Sequence, residues 1–230
     1  MSHHWVVERV ICGQNMSFNM DTLVAMWAAM AFLLIIAFLS TRKLSIFPSK
    51  LQVFFEKILG YFDGLVNGMI NHDGRKHFPL IASLFLFIVT ANLMGQLPLK
   101  MIELKTGEIA SPTNDINLTA GLALIVLIYY VSAGLIKKKG KFFLHEISFV
   151  GIISMLVELL ELVTRPLTLA LRLFGNILAG EILIAALLGL CAWGLPLPIM
   201  FFEILVACVQ ALVFTMLTTV YIATAVNENH

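Results

Sequence analysis

The sequence Leu-Arg-Leu-Phe-Gly-Asn-Ile-Leu-Ala-Gly-Glu, from Leu171 to Glu181, lies within an apolar stretch that runs from about Ile147 to Leu190. A guanidinium stays charged at any physiological pH, so Arg172 requires a partner or a water-lined cavity inside this stretch. Charged residues at membrane depth are rare, face the protein interior, and usually mark an ion pathway. Arg172 therefore predicts a membrane protein that moves ions rather than an enzyme that works in water.

The composition indicates an integral membrane protein. Of the 230 residues, 60% are hydrophobic and 13% are charged, against about 25% charged residues in a typical soluble domain. We predict one all-α membrane domain over residues 1–230, with about five membrane helices and one amphipathic helix. The predicted segments are an external amino terminus (1–21), a first span (22–40), an amphipathic cytoplasmic helix (51–70), a second span (78–97), a third span (117–136) and two long helices (147–190 and 199–226).

The last two predicted helices are unusually long. The run from 147 to 190 would extend about 66 Å as a helix, roughly twice the thickness of a bilayer core, so we expect it to be strongly tilted. Pro196 and Pro198 predict a turn after it, which makes the last two helices an antiparallel hairpin. Asp115, directly before the third span, is expected to cap that helix.

Basic residues predict the orientation of the chain. The segments on one side of the predicted spans carry ten Lys and Arg, whereas the segments on the other side carry Arg9, Lys100 and Lys105. Because cytoplasmic connections are enriched in Lys and Arg, the amino terminus is expected outside and the carboxyl terminus in the cytoplasm.

Polar side chains follow one face of the first long helix. At 100° per residue they lie within about 80° of one another, whereas Glu181 falls near the opposite side. In the second long helix, Glu203 and Gln210 share a face, with Tyr221 roughly in line. Lipid cannot satisfy such groups, so we predict two separate polar environments with a permanent cation between them. The members of the stripe are Glu158, Glu161, Arg165, Thr168, Arg172 and Asn176.

Four motifs resemble those of subunit a of F-type ATP synthases. They are Leu171 to Glu181, Val-Gln-Ala-Leu-Val-Phe (Val209 to Phe214), Ala-Asn-Leu-Met-Gly (Ala91 to Gly95) and Pro-Thr-Asn-Asp-Ile-Asn (Pro112 to Asn117). The resemblance covers nearly the whole chain. It implies a non-catalytic stator subunit, without a cofactor, that passes H⁺ or in some members Na⁺ to a rotating ring of c subunits, each with one membrane-embedded carboxylate.

The resemblance also implies partners and a membrane. The expected partners are the c-subunit ring, the b-subunit peripheral stalk, the remainder of the ATP synthase, membrane lipid and the translocated ion, and no nucleic acid is expected. The expected location is the bacterial cytoplasmic (inner) membrane, and the alternative is the thylakoid membrane.

The resemblance further implies roles for individual residues. Arg172 is expected to be the essential cation that prevents a short circuit between two half-channels, with Asn176 and Gln210 near it. The inner half-channel, or else a solvated ion-pair cluster at the cytoplasmic surface, is expected to include Glu158, Glu161, Arg165 and Thr168. The outer half-channel is expected to include Asn92, Glu181, Glu203 and Gln210. Glu203 stands where the family varies, and neither a catalytic residue nor a metal ligand is expected.

Two other classes of protein fit the sequence less well. An ion-coupled secondary transporter is the alternative function, but the chain has no internal repeat and few spans for such a fold. An intramembrane hydrolase requires a nucleophile with a base, or metal-ligand spacing such as His-Glu-x-x-His, and neither occurs. The three cysteines, Cys12, Cys191 and Cys208, have neither disulfide-framework nor zinc-site spacing.

Overall fold

Six α-helices form most of the part of the chain that the computed structural model describes, which is residues 6–11, 14–42, 50–70, 74–96, 112–138, 149–190 and 196–227. The helices are α1 (Met20–Thr41), α2 (Lys50–Met69), α3 (Gly74–Gln96), α4 (Ile116–Lys138), α5 (Phe149–Leu190) and α6 (Pro196–Val226). A 3-10 turn (Pro112–Asn114) precedes α4. All the helices except α2 are long and apolar enough to cross a membrane. The predicted fold class, five membrane helices and one amphipathic helix, is confirmed.

The amino terminus forms a feature that the sequence analysis did not predict. Strands β1 (Val6–Ile11) and β2 (Gln14–Asn19) pair antiparallel, with Val6 opposite Asn19 and Ile11 opposite Gln14. Three valines and an isoleucine in β1 favour a strand. These β-branched residues lie in the amino-terminal segment, for which only an external location was predicted.

The amphipathic helix α2 lies against the bundle by one face. Phe62, Val66 and Ile70 are buried on that side, whereas Phe54 and Tyr61 are 59% and 52% exposed on the other. This division of apolar side chains matches the period of a helix that packs through one face.

The core lies where α3, α4, α5 and α6 meet. α3 packs on α2 and α6, and α4 packs on α5 and α6. α1 is peripheral, since Ala25 and Ala29 are its buried residues and Leu34 is 71% exposed. Large apolar side chains on the outside of a bundle suit contact with lipid. Central core residues are Ile88, Val126, Leu173, Phe214 and Ile222.

The two longest helices, α5 and α6, form the predicted antiparallel hairpin. Near the connection, Gly180 faces Glu203, and near the far ends Arg165 contacts Thr224. Pro196 and Pro198 were predicted to lie in the turn, but α6 already begins at Pro196. Proline fits the first turn of a helix because the N–H groups there have no intrahelical acceptor.

Asp115 caps α4, as predicted, and also holds the start of α1. Its Oδ1 accepts the backbone N–H of Asn117 at 2.9 Å. Its Oδ2 accepts Nδ2 of Asn19 at 2.9 Å and the hydroxyl of Thr22 at 3.2 Å. Partial burial alone would raise the pKa of Asp115, but these hydrogen bonds outweigh it and hold that pKa below its ordinary value.

Candidate functional site

The 3-10 turn brings an amide to the Glu181 carboxylate of α5. Nδ2 of Asn114 donates to Oε2 of Glu181 at 2.7 Å. The turn is fixed because Pro112 and Thr113 are buried, and it packs against α1, α3, α4 and α5. The turn thus holds the Glu181 carboxyl group in place.

Glu203 of α6 lies against the glycine that precedes Glu181. Its side chain is 8% exposed, and a Cβ added at Gly180 would lie 2.8 Å from Cδ of Glu203. The missing side chain of Gly180 therefore provides the space that the Glu203 carboxyl group occupies. The structure brings Glu203 next to the Glu181 position of α5. Asn114, Glu181 and Glu203 are hereafter called the acidic cluster.

Two further buried amide side chains are those of Asn92 in α3 and Gln210 in α6. Nδ2 of the fully buried Asn92 donates to the backbone oxygen of Ala207 at 3.2 Å. Gln210, three residues further along α6, is 8% exposed. Within the described part of the chain, Oδ1 of Asn92 and Nε2 of Gln210 have no hydrogen-bond partner. Oδ1 of Asn92 can therefore accept a hydrogen bond from water, and Nε2 of Gln210 can donate one to water.

Arg172 is exposed on the outside of α5. Thr168, Gly175 and Ala179 are exposed on the same side of the helix, so the guanidinium projects from a face of small and apolar residues. No ion pair to Arg172 is present among the residues that the structure describes. Asn176 is half-buried, and no hydrogen bond within the described ranges joins Arg172 to Asn176 or Gln210. The predicted proximity of these two amides to Arg172 stays a prediction.

Arg165 lies at the far end of the α5–α6 hairpin in a cluster of its own. It forms an ion pair with Glu161, one helical turn away. Its Nη1 donates to the hydroxyl of Thr224 at 3.3 Å, and its guanidinium lies 5.1 Å from the ring centroid of Tyr221. Glu161, Arg165, Tyr221 and Thr224 are hereafter called the arginine cluster.

Thr168 and Glu158 are two other residues of the predicted stripe on α5. The Thr168 hydroxyl donates to the backbone oxygens of Thr164 and Arg165, both at 2.9 Å, so its hydrogen bonds are local. Glu158 belongs to α5, but its side chain lies outside the part that the structure describes. The polar groups of α5 thus separate into the arginine cluster, the exposed Arg172 and the acidic cluster.

Two residues of these clusters were not predicted from the sequence. Asn114 was part of a quoted motif, but nothing local indicates that it bonds Glu181. Thr224 was missed as well, because its partner Arg165 lies on another helix. For Thr224, the relevant signal was its position three residues after Tyr221, on the same side of α6.

The chemistry of these groups suits ions of a single positive charge. Carboxylates that lie close together hold a shared proton or a cation more readily than two separate negative charges. Within the described ranges, no three residues of the types His, Cys, Asp and Glu come together as a metal site. The acidic cluster, with two carboxyl groups, can therefore hold a proton or another small cation, whereas Glu161 in the arginine cluster is already paired with Arg165.

The sequence is similar to known proteins over most of its length. A family model described as ATP synthase A chain matches residues 23–223. A protein of Gloeobacter violaceus named ATP synthase subunit a is 42% identical over 218 residues, which cover 93% of this chain and 87% of that protein.

Proposed function

Because this chain belongs to the ATP synthase A chain family, we propose that it is the stator subunit that conducts ions through the membrane sector of an F-type ATP synthase. Two half-channels open on opposite sides of the membrane and end at different heights along α5. Arg172 lies between them and prevents ions from crossing directly. The subunit conducts ions and catalyses no reaction itself.

The exposure of Arg172 is the observation that carries this proposal. A guanidinium on a membrane-spanning helix cannot remain without a partner in hydrocarbon. None of the described residues forms an ion pair with it, which supports a partner on another subunit. A carboxylate is the group that best neutralises a guanidinium. The small residues Gly175 and Ala179 on the same face allow a neighbouring helix to approach closely.

A ring of subunits with one carboxylate each fits this requirement. A ring carboxylate that faces lipid must be neutral, because an ionised group there costs several kcal/mol or more. Facing Arg172, the same carboxylate is favoured in its charged form and releases its ion. Each elementary charge that moves down the membrane potential releases about 2.3 kcal/mol of free energy per 100 mV. Rotation therefore requires each carboxylate to bind an ion before it returns to the lipid.

The two clusters supply the ends of the route. The acidic cluster, with Asn92 and Gln210 further in, lines the outer half-channel. The arginine cluster, together with Glu158 and Thr168, lines the inner half-channel. Asn176 and Gln210 border Arg172 between the two.

The orientation follows from the basic residues. The amino terminus lies outside and the carboxyl terminus lies in the cytoplasm, in a bacterial cytoplasmic membrane or, alternatively, a thylakoid membrane. Besides the c ring, the b-subunit peripheral stalk holds this subunit against the torque of rotation.

Photo-cross-linking from the exposed face of α5 tests this proposal. A photoreactive amino acid at Thr168 is expected to link to the ring subunit in the assembled complex. The matched control is Ile128, which is 59% exposed on α4 and is expected to give no ring product. An active complex in which Thr168 never links to the ring would contradict the proposal.

Two further measurements separate the alternatives. The purified subunit alone in vesicles is expected to transport nothing, whereas a secondary transporter would work without a ring. For the ion, ATP hydrolysis by the complete complex is measured with and without Na⁺. A response to Na⁺ indicates Na⁺ transport, and no response indicates H⁺ transport.

A further inference from the structure

Tyr130 of α4 has a buried hydroxyl that the proposed route does not yet use. The residue is 3% exposed, and its hydroxyl has no hydrogen-bond partner within the described part of the chain. The preceding Tyr129 differs, because its hydroxyl lies 3.0 Å from Nδ1 of His77. Buried polar groups almost always have a partner, so the Tyr130 hydroxyl requires an explanation.

Tyr130 lies where α4 meets α5 and α6, beside the arginine cluster. Its ring centroid is 6.2 Å from that of Tyr221, and both rings line a groove with Pro166 and Leu169. The Arg165 guanidinium itself lies 5.1 Å from the Tyr221 ring centroid. Tyr130 and Arg165 therefore have Tyr221 as a common neighbour.

Arg165 is held in a closed arrangement in this structure. It pairs with Glu161 on its own helix and reaches Thr224 at a long 3.3 Å. The groove between the two tyrosines has no room for a water molecule. As long as Arg165 neutralises Glu161, that carboxylate has little affinity for another cation.

We propose that Tyr130 is a positioning residue of the inner half-channel, whose hydroxyl accepts the Arg165 guanidinium when that side chain leaves Glu161 and Thr224. A guanidinium carries five N–H donors and a phenolic oxygen is an acceptor, so the bond is chemically suitable. The Tyr221 ring lies under Arg165 and beside Tyr130, and it supports the guanidinium during the exchange. Once Arg165 has moved, Glu161 is free to take the ion and release it to the cytoplasm.

This inference rests on the proposed function, because it assumes that Glu161 belongs to an ion route. It adds a second position for Arg165 and names the residue that holds it there. Because the groove beside Tyr130 has no room for a water molecule, the side chains that line it must move apart for the guanidinium to reach the hydroxyl.

The test uses the complete ATP synthase in liposomes, with ATP-driven ion uptake and thermal stability as the two measurements. Tyr130→Phe keeps the ring and removes the hydroxyl. If this hydroxyl is merely structural, its loss leaves ion uptake unchanged and stability equal or higher, because an unpaired buried group is removed. We expect unchanged or higher stability together with ion uptake that is lower by about threefold to tenfold.

Two further variants make this result specific. Tyr129→Phe is the matched control, and we expect the opposite outcome, lower stability with normal ion uptake, because its hydroxyl has a partner. In an Arg165→Gln background, Tyr130→Phe is expected to have no additional effect, since it acts through Arg165. Normal uptake by Tyr130→Phe, or an effect that simply adds to that of Arg165→Gln, would overturn the inference.

Arg172→Ala in the same liposomes separates this inference from the proposed function. If Arg172→Ala pumps normally, the proposed function is wrong. If Arg172→Ala is inactive while Tyr130→Phe is normal, only the role of Tyr130 is wrong.

Discussion

Asn114 and Glu181 are 67 residues apart in the chain, yet their side chains are joined by a hydrogen bond of 2.7 Å. Because a bond to a charged group contributes roughly 1.5–3 kcal/mol, we expect Asn114→Ala to lower ATP-driven ion uptake by about tenfold. Asn114→Asp is similar in size but places a negative charge against Glu181, so it is expected to be worse than alanine. Uptake that is better with aspartate than with alanine would show that Glu181 needs no donor here.

Removal of Arg172 is expected to abolish ion pumping. Arg172→Ala leaves the ring carboxylates without the cation that makes them release their ions. Arg172→Lys is expected to fail nearly as badly, because an ammonium lacks the planar, two-pronged hydrogen bonding of a guanidinium. ATP-driven pumping in liposomes is the measurement, and Arg42→Ala, at the exposed end of α1, is the control expected to pump normally. Normal pumping by either Arg172 variant in a fully assembled complex counts against the mechanism.

Gly180→Ala is expected to displace the Glu203 carboxyl group. The new Cβ would lie 2.8 Å from Cδ of Glu203 and 3.5 Å from Cγ. These atoms are at the far end of a flexible side chain, so Glu203 can move aside at a small cost in stability. We expect slower ion uptake with only a small loss of thermal stability of the complex. In the double variant Gly180→Ala/Glu203→Ala the clash is absent, so it is expected to be as stable as Glu203→Ala alone.

Gly121→Ala provides the steric control for that experiment. An added Cβ at Gly121 meets nothing within 4 Å. The gain in helix propensity is expected to stabilise α4 by up to about 1 kcal/mol. Similar losses of stability in the two glycine variants would mean that Glu203 is not the cause.

Asp115→Ala is expected to destabilise the junction of α1 and α4, by about 0.5–2 kcal/mol for the helix cap. The folded-state pKa of Asp115 is depressed, so its contribution is complete above the unfolded-state pKa of about 3.9. It is lost as the pH falls through the lower folded-state pKa. Thermal unfolding of the detergent-solubilised complex at pH 7 and pH 3 measures this directly. The difference between wild type and variant should shrink at pH 3, and a difference that grows on acidification would contradict the assignment.

The sequence predicts the membrane helices well because each one is encoded locally. A run of about twenty apolar residues has few alternatives in a bilayer, so α1, α3 and α4 were recognisable without any tertiary information. Asp115 was likewise predictable as a cap, because capping depends on the two residues that follow it. The β-branched residues at the amino terminus were an equally local signal for strands, but the strands were not predicted from them.

Contacts between helices are a different matter. A helical wheel gives the relative angles of Arg165, Arg172 and Glu181, but it does not show which neighbour each one meets. Helix packing and the position of a turn determine two of the contacts in the site, and no local sequence pattern encodes either. These contacts are the hydrogen bond from Asn114 to Glu181 and the contact of Glu203 with Gly180. For the same reason, the sequence did not distinguish Tyr130 from Tyr129, although only the latter has a hydrogen-bond partner among the described residues.

The continuous helix α5 has a mechanical consequence. Besides its packing on α4 and α6, it is bonded to α6 through Arg165 and to the 3-10 turn through Glu181, and Arg172 lies between these two points. A sideways force on Arg172 therefore acts on a part of α5 that is held by contacts on both sides along the chain. Bending under such a load would be resisted at both attachments, so the guanidinium can keep its height while a neighbour slides past.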